Sequence, residues 1–183
     1  MPLPTAVLQG RSDCSTQLRM LLCALAPAAP STSTDADAAP AWAFDPLPTQ
    51  VSLSDGDFAD WPLDDPAVLA SLSSWLRPAG RALRIIGHDF AAVARRFPRF
   101  ARWRRDWAHR VQVWQPIDAD WPAGQRLLLA PSVAAQWLDA PNVQTIARLR
   151  VITTAVHLQA LHSQSADFLQ RCEPAWPVTT LGL

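Results

Sequence analysis

The chain has 183 residues, of which 49% are hydrophobic, enough for one domain with a sizeable core. All sixteen cationic residues are Arg and the chain has no Lys, which excludes mechanisms built on a lysine, such as a Schiff base or a P-loop phosphate clamp. The formal net charge is zero, whereas a dedicated nucleic-acid-binding domain is usually basic throughout.

The charge is nevertheless unevenly distributed along the chain. Residues 1–76 hold two Arg against nine Asp, a net −7, whereas residues 77–110 hold ten Arg against two Asp, a net +8. Residues 111–183 hold four Arg against five acids, a net −1. The chain is therefore dipolar, with an acidic first part and a basic middle.

The sequence lacks the motifs typical of disulfide frameworks, metal sites, phosphate-binding loops and membrane spans. The three cysteines, Cys14, Cys23 and Cys172, form no CxxC pair, so they indicate neither a disulfide framework nor a zinc site and favour a reducing cytoplasm. His157 and His162 are five residues apart, off the i, i+4 spacing of two metal ligands on one helix face. No Gly-rich phosphate loop, GxSxG motif or membrane-length apolar run occurs, so we expect no cofactor, no metal and no membrane span.

The first part of the chain predicts one short helix followed by an insert. Residues 12–26 form an amphipathic pattern that Ser12 or Asp13 can cap, and Pro27 ends it. We assign 1–26 to the domain as its N-terminal segment. Residues 27–48, rich in Pro, Ala, Ser and Thr, predict a flexible insert, and 49–183 an α/β domain.

From residue 49 strands and helices alternate. The strand "QVSLSD" ends at Asp55, a helix starts at Pro66 after a capping aspartate, and "RALRIIGHDF" predicts a second strand. After the helix of the arginine-rich stretch, we expect strands in "RVQVWQ", "QRLLLAPS", "VAAQWL" and "IARLRVITT", then a helix in "HLQALHSQSADFLQRCEPAW". This order predicts an α/β fold with a mixed, largely parallel sheet flanked by helices, in which the later strands pair antiparallel.

His88 and Asp89 follow the second strand, at the sheet edge where ligands bind in such folds. One interpretation is an acid–base pair of a small hydrolase. The other is that Asp89 caps the next helix and His88 is a half-buried polar residue, since adjacent strand residues point to opposite faces.

The stretch "RFPRFARWRRDWAHRVQVW" carries six arginines within residues 96–114. Taken as a helix over 98–110, it places its aromatic and basic residues on different sides. The aromatic stripe, Phe100, Trp103 and Trp107, is predicted to be core. The opposite side, Arg99, Arg102, Arg105 and His109, is a candidate surface for a phosphate-containing ligand or nucleic acid. Other interpretations are a solvated face, an ion-paired contact with the acidic residues 55–65, and, for His109, a favourable charge at a helix end.

The succession "VSLSDGDFADWPL", "LRIIGHDF", "FPRFARWRRDWAHRVQVW", "RLLLA" and "FLQRCEPAWPVTTLGL" resembles an uncharacterised bacterial family with a phospholipase D-like fold. The resemblance spans most of the chain outside 27–48 and implies a phospholipase D-like half-domain. Active members pair two such halves, which is compatible with a homodimer of this chain.

The resemblance also carries an expectation about chemistry. Active members use an HxK motif followed by Asp, in which the His attacks phosphorus and the Lys holds phosphate oxygens. By order of elements the motif would lie in residues 126–142, which contain neither His nor Lys. We therefore expect a catalytically inert binding or scaffold module. The alternatives are phosphate-ligand or nucleic-acid binding through the helix at 98–110, and a small hydrolase centred on His88 and Asp89.

Overall fold

The computed structural model describes residues 6–26, 44, 46–118, 120–138 and 147–177. Most of the predicted insert at 27–48 lies outside these residues, and the division of the chain at 26 and 49 stays a prediction.

Eight strands and five helices make up the described part of the chain. The strands are β1 (Ala6–Gln9), β2 (Gln50–Ser54), β3 (Ala82–Ile86), β4 (Val111–Pro116), β5 (Leu127–Leu129), β6 (Ala134–Leu138), β7 (Arg148–Ile152) and β8 (Cys172–Pro174). The helices are α1 (Arg11–Cys23), α2 (Pro66–Leu76), α3 (Phe90–Arg96), α4 (Pro98–Asp106) and α5 (Ala155–Leu169).

All eight strands join one sheet in the order β1-β7-β6-β5-β2-β3-β4-β8. The centre is parallel: β2 pairs with β3 and β3 with β4, through crossovers that contain α2 and then α3 and α4. The remaining strands pair antiparallel on either side. The predicted mixed sheet flanked by helices is confirmed, as is the antiparallel pairing of the later strands.

The two faces of the sheet differ in character. On one face, Val51, Leu53, Leu83 and Ile85 pack in the main core, which also receives the buried residues of α1 to α4. The opposite face is covered by α5, which packs on two smaller hydrophobic clusters. This face also carries polar residues, among them Ser52, Arg84 and Gln136. The period-two alternation of each strand produces this division.

The residue that caps the amino end of α2 is the predicted kind, an aspartate, whereas the cap of α1 differs from the prediction. Asp65 caps α2, with its carboxylate accepting hydrogen bonds from the backbone N–H groups of Ala67 and Val68 at 2.7 and 3.4 Å. The predicted Ser12 or Asp13 cap is wrong, because α1 starts at Arg11 directly after the turn from β1. Gly10 makes that turn at φ +97°, a conformation that favours glycine.

Two further findings concern membrane-spanning helices and disulfide bonds. None of the helices within the described ranges combines the length and apolarity that a bilayer span requires. All three cysteines are free, and Cys14 and Cys172 are buried.

Candidate functional site

Residues 55–61 form a turn at the carboxyl end of β2 that lies against the end of β3. Asp55 donates its backbone N–H to the carbonyl of Ile86 at 3.1 Å, and His88 donates its own to the carbonyl of Gly56 at 3.2 Å. Gly87 is required at this crossing, since a Cβ there would lie 2.9 Å from the ring of Phe58. We refer to this sheet edge as the strand-end rim.

The centre of the strand-end rim is a buried carboxylate. Asp55 is 1% exposed and accepts a hydrogen bond from the Trp61 indole N–H at 2.6 Å. The Arg126 guanidinium, which enters from just before β5, donates to both oxygens at 3.1–3.2 Å. A second carboxylate, Asp60, lies 3.7 Å from Arg126. Arg126 and Asp55 thus form a bidentate ion pair, and the Asp55 carboxylate also accepts a hydrogen bond from a second group, the Trp61 indole.

The surroundings keep Arg126 charged. Burial acts to lower the pKa of Arg126, but its attraction to Asp55 and Asp60 and the hydrogen bonds to Asp55 outweigh burial and raise that pKa. The guanidinium carbon also lies 5.4 Å from the centre of the Trp137 ring, a cation–π contact. A guanidinium fixed in this way is a charge-neutralising group and has no proton to exchange at neutral pH.

Sequence reasoning missed this pair. Asp55 was predicted to end a strand and to belong to the acidic residues 55–65, but the two residues are 71 positions apart and nothing local to Arg126 indicates its partner. The expected location of an HxK motif is the same region: residues 126–138, within the described chain, form the start and both strands of the β5–β6 hairpin, with Arg126 at its entrance. No group of three potential metal ligands comes together among the described residues.

The two residues of the predicted pair, His88 and Asp89, make separate contacts. The Asp89 carboxylate accepts the backbone N–H of Ala92 at 2.8 Å and caps α3. His88 is half-buried, with its ring 5.1 Å from that of Trp121, and its Nε2 has no hydrogen-bond partner among the described residues. The cap interpretation of Asp89 therefore describes its contacts, and no hydrogen bond in the described chain joins it to His88.

The arginine-rich stretch folds as α4 and ends at Asp106, four residues earlier than predicted. Phe100 and Trp103 are 0% and 8% exposed and stack with ring centroids 5.6 Å apart, which confirms these two members of the aromatic stripe as core. Trp107, the third member, follows the last residue of α4 and is half-buried. Arg104 is also buried, with its guanidinium 5.0 Å from the centre of the Trp176 ring. Burial lowers the pKa of Arg104.

The other side of α4 is exposed. Arg99, Arg102 and Arg105, hereafter the arginine face, make no ion pair or side-chain hydrogen bond within the described chain. Asp106 lies one helical turn from Arg102 without forming an ion pair with it. His109 is exposed beyond the helix end, where its ring stacks on Trp107 at 6.0 Å.

The acidic residues 55–65 are not the partners of the arginine face. Their ion pairs run to Arg126, Arg11, Arg19 and Arg96, and the Asp64 carboxylate accepts the backbone N–H of Phe100 at 2.9 Å. The acidic segment thus meets the amino end of α4 through one backbone contact and leaves the arginine face uncovered.

Solved structures place the fold. TrmBL2, described as an archaeal chromatin protein with a novel mode of DNA binding, matches with a TM-score of 0.59 at 10% identity over 94% of this chain and 54% of that one. NucT from Helicobacter pylori matches with a TM-score of 0.50 at 10% identity, over 94% of this chain and 99% of that one. Nuc from Salmonella typhimurium, a phospholipase D family member, gives 0.50 at 11% identity, over 95% and 100%.

These matches establish a phospholipase D-like fold, as predicted. The chain spans about half the length of TrmBL2 and nearly all of the other two. No protein-family model and no curated protein sequence matches the chain.

Proposed function

We propose that this chain is a non-catalytic phospholipase D-like module that binds nucleic acid through the arginine face. The observation that carries the proposal is the exposure of Arg99, Arg102 and Arg105 on one side of α4 without a carboxylate partner in the described chain. The DNA binding described for TrmBL2, a structure of similar fold, adds support for the choice of partner.

The spacing of the arginine face suits a phosphate backbone. Arg99 and Arg105 are six residues apart, about 9 Å along the helix axis. Two to three phosphates of one DNA strand, at about 3.4 Å of rise each, cover that length. Since the aromatic side of α4 is buried in the core, the contact would be electrostatic and largely independent of base sequence.

The absence of catalysis is proposed on different grounds. A phosphodiester exchange of the family type needs a nucleophile and a cation that holds phosphate, and residues 126–142 supply neither His nor Lys. Arg126, the cation at the strand-end rim, is engaged by Asp55 and Asp60, and Asp89 caps a helix. His88 is left without an acid or base partner among the described residues.

The binding part is tested by fluorescence anisotropy with a labelled 20-base-pair DNA duplex. Three phosphate contacts predict a slope of about −2.7 in log K against log salt, an affinity loss of about 40-fold between about 50 and 200 mM salt. Changing Arg99, Arg102 and Arg105 together to Gln should remove this binding and its salt dependence.

The matched control removes three exposed arginines elsewhere, Arg11, Arg19 and Arg171, and is expected to keep most of the affinity. An equal loss in both triple variants would indicate a net-charge effect, and unchanged binding by the first variant would place the contact elsewhere; either result contradicts the proposal.

The non-catalytic part is tested with a bis-aryl phosphodiester, with DNA and RNA, and with phospholipid vesicles. We expect no turnover above blank for the purified chain. Turnover that disappears in His88→Ala but persists in His109→Ala would instead support the small hydrolase and overturn the assignment.

A further inference from the structure

A cavity of about 320 Å³ lies between α5 and the polar face of the sheet, away from the arginine face and the strand-end rim. Its polar lining consists of Thr49, Gln50, Ser52, Arg84, His162 and Ser165, and no Asp or Glu of the described residues lines it. The volume is at the lower end of the range of about 300–1,000 Å³ in which ligand pockets fall.

Arg84 is the arginine that lines this cavity within the described part of the chain. It projects from the central strand β3, beside Ser52 on β2, and is half-buried. With the Gln50 amide oriented so that its oxygen faces the guanidinium, that oxygen accepts hydrogen bonds from both terminal nitrogens at 2.9 and 3.0 Å. Its Nε is buried and has no partner among the described residues.

A half-buried guanidinium is ordinarily balanced by a carboxylate, as Arg126 is. Among the described residues Arg84 is met by a neutral amide alone, and burial lowers its pKa without removing its charge at neutral pH. The free energy cost of this uncompensated charge would be relieved by an anion bound in the cavity.

The rest of the lining is suited to an anion. Ser52 and Ser165 are 7% and 6% exposed, and both line the cavity. The exposed His162, on α5, lies at the cavity mouth and can donate a hydrogen bond to an oxyanion.

We propose that this cavity binds a small phosphate-bearing anion, held by the Arg84 guanidinium, the hydroxyls of Ser52 and Ser165, and the His162 imidazole. An apolar groove lined in part by Ala155 and Leu158 adjoins it and shares Pro131 and His162 with the cavity. The organic part of a phosphate monoester would lie in that groove, whereas free phosphate would leave it empty. This site is independent of the proposed nucleic-acid binding.

The test is a ¹H–¹⁵N NMR titration of the full chain with inorganic phosphate, and in parallel with glycerol 3-phosphate, at constant ionic strength. Saturable shifts confined to Ser52, Arg84, His162 and Ser165 are expected. Additional shifts at Ala155 and Leu158 with the monoester alone would identify a monoester as the better ligand. Shifts that do not saturate, or that centre on the arginine face, would overturn the proposal.

Two variants at the cavity decide the role of its residues. Arg84→Gln should abolish saturable binding. Because Arg84 is half-buried, His162→Asp serves as the second variant: it changes an exposed residue and should weaken phosphate binding by about tenfold or more through repulsion.

The matched control is His157→Asp, which is also exposed on α5 but does not line the cavity, and should stay within about twofold of the parent. Equal loss in both Asp variants, or undiminished binding by the well-folded His162→Asp, contradicts the proposal. DNA binding should be unaffected by His162→Asp, and phosphate binding by the triple change of the arginine face, which separates the two proposals.

Discussion

Asp55→Asn tests whether the ion pair at the strand-end rim stabilises the fold. The four groups that contact the carboxylate, the Trp61 indole, two nitrogens of Arg126 and the Asp57 backbone N–H, are all hydrogen-bond donors. An Asn amide has one acceptor oxygen and one donor NH₂ group, and either orientation of the amide points the NH₂ group at some of these donors. The substitution therefore removes the charge and also creates a donor–donor conflict in a buried position.

The expected loss is about 2–4 kcal/mol of unfolding free energy. Breaking a fully buried ion pair costs about 3–5 kcal/mol, and hydrogen bonds to a charged group contribute about 1.5–3 kcal/mol each. The Arg126 side chain is 29% exposed and keeps Asp60 at 3.7 Å, which places the loss at the lower end of that range. A change of about 3 kcal/mol with a slope of about 2 kcal/mol per molar urea moves the midpoint by about 1.5 M.

The assay is urea unfolding followed by tryptophan fluorescence. Asp118→Asn, in the exposed turn after β4, is the isosteric control and should change stability by less than about 0.5 kcal/mol. In a double-mutant cycle with Arg126→Met, the two changes should be coupled by at least about 1 kcal/mol. A loss below about 0.5 kcal/mol for Asp55→Asn, or additive effects in the cycle, would refute the role assigned to the pair.

Three further predictions concern α4, the cysteines and the α2 cap. Phe100→Ala should cost about 3–5 kcal/mol in the same urea assay, whereas an alanine on the arginine face should cost less than about 0.5; equal effects would contradict the core assignment. Burial raises the pKa of Cys14, so iodoacetamide at neutral pH should modify the half-buried Cys23 first by mass spectrometry, and reversed order would be inconsistent with this. The hydrogen bond from Arg19, with further bonds from the amino end of α2, lowers the pKa of Asp65 in the folded chain. Asp65 therefore stabilises the fold at any pH above its pKa in the unfolded chain, and this stabilisation is lost as the pH falls through its pKa in the folded chain. Asp65→Ala should cost about 1 kcal/mol at pH 7 and little in acid, and a constant difference between these pH values would contradict the linkage.

The positions of the strands could be predicted where the local sequence alone defines a strand. Strands β2, β3 and β4 stand close to their predicted positions because alternation and breakers define them locally. The short strands β1 and β8 were missed because each is fixed by pairing with a partner distant in sequence, β7 and β4 respectively. Helix α3 was missed because its seven residues are too few to establish a helical period.

The candidate sites were predictable only in part, for a related reason. Helical spacing alone separates the core side of α4 from the arginine face. The partners of Asp55 and of Arg84 depend on strand order, since β5 and α5 reach them from much later in the chain. Nothing in the sequence near Arg84 distinguishes it from the nine other arginines of residues 77–110.

The fold pairs only part of the acidic first part of the chain with its basic middle. An acidic first part and a basic middle suggest that the two neutralise each other. Among the described residues, the one ion pair between them joins Arg96 and Asp57 at 4.0 Å, and the Asp64 carboxylate adds a hydrogen bond to the backbone of α4. The acidic residues 55–65 are instead neutralised chiefly by arginines from α1 and by Arg126, just before β5. The arginine face and Arg84 are among the positive charges that no ion pair within the described chain balances. A polyanion on the surface and a small anion in the cavity would compensate these two charges separately, which is why each proposal can fail without the other.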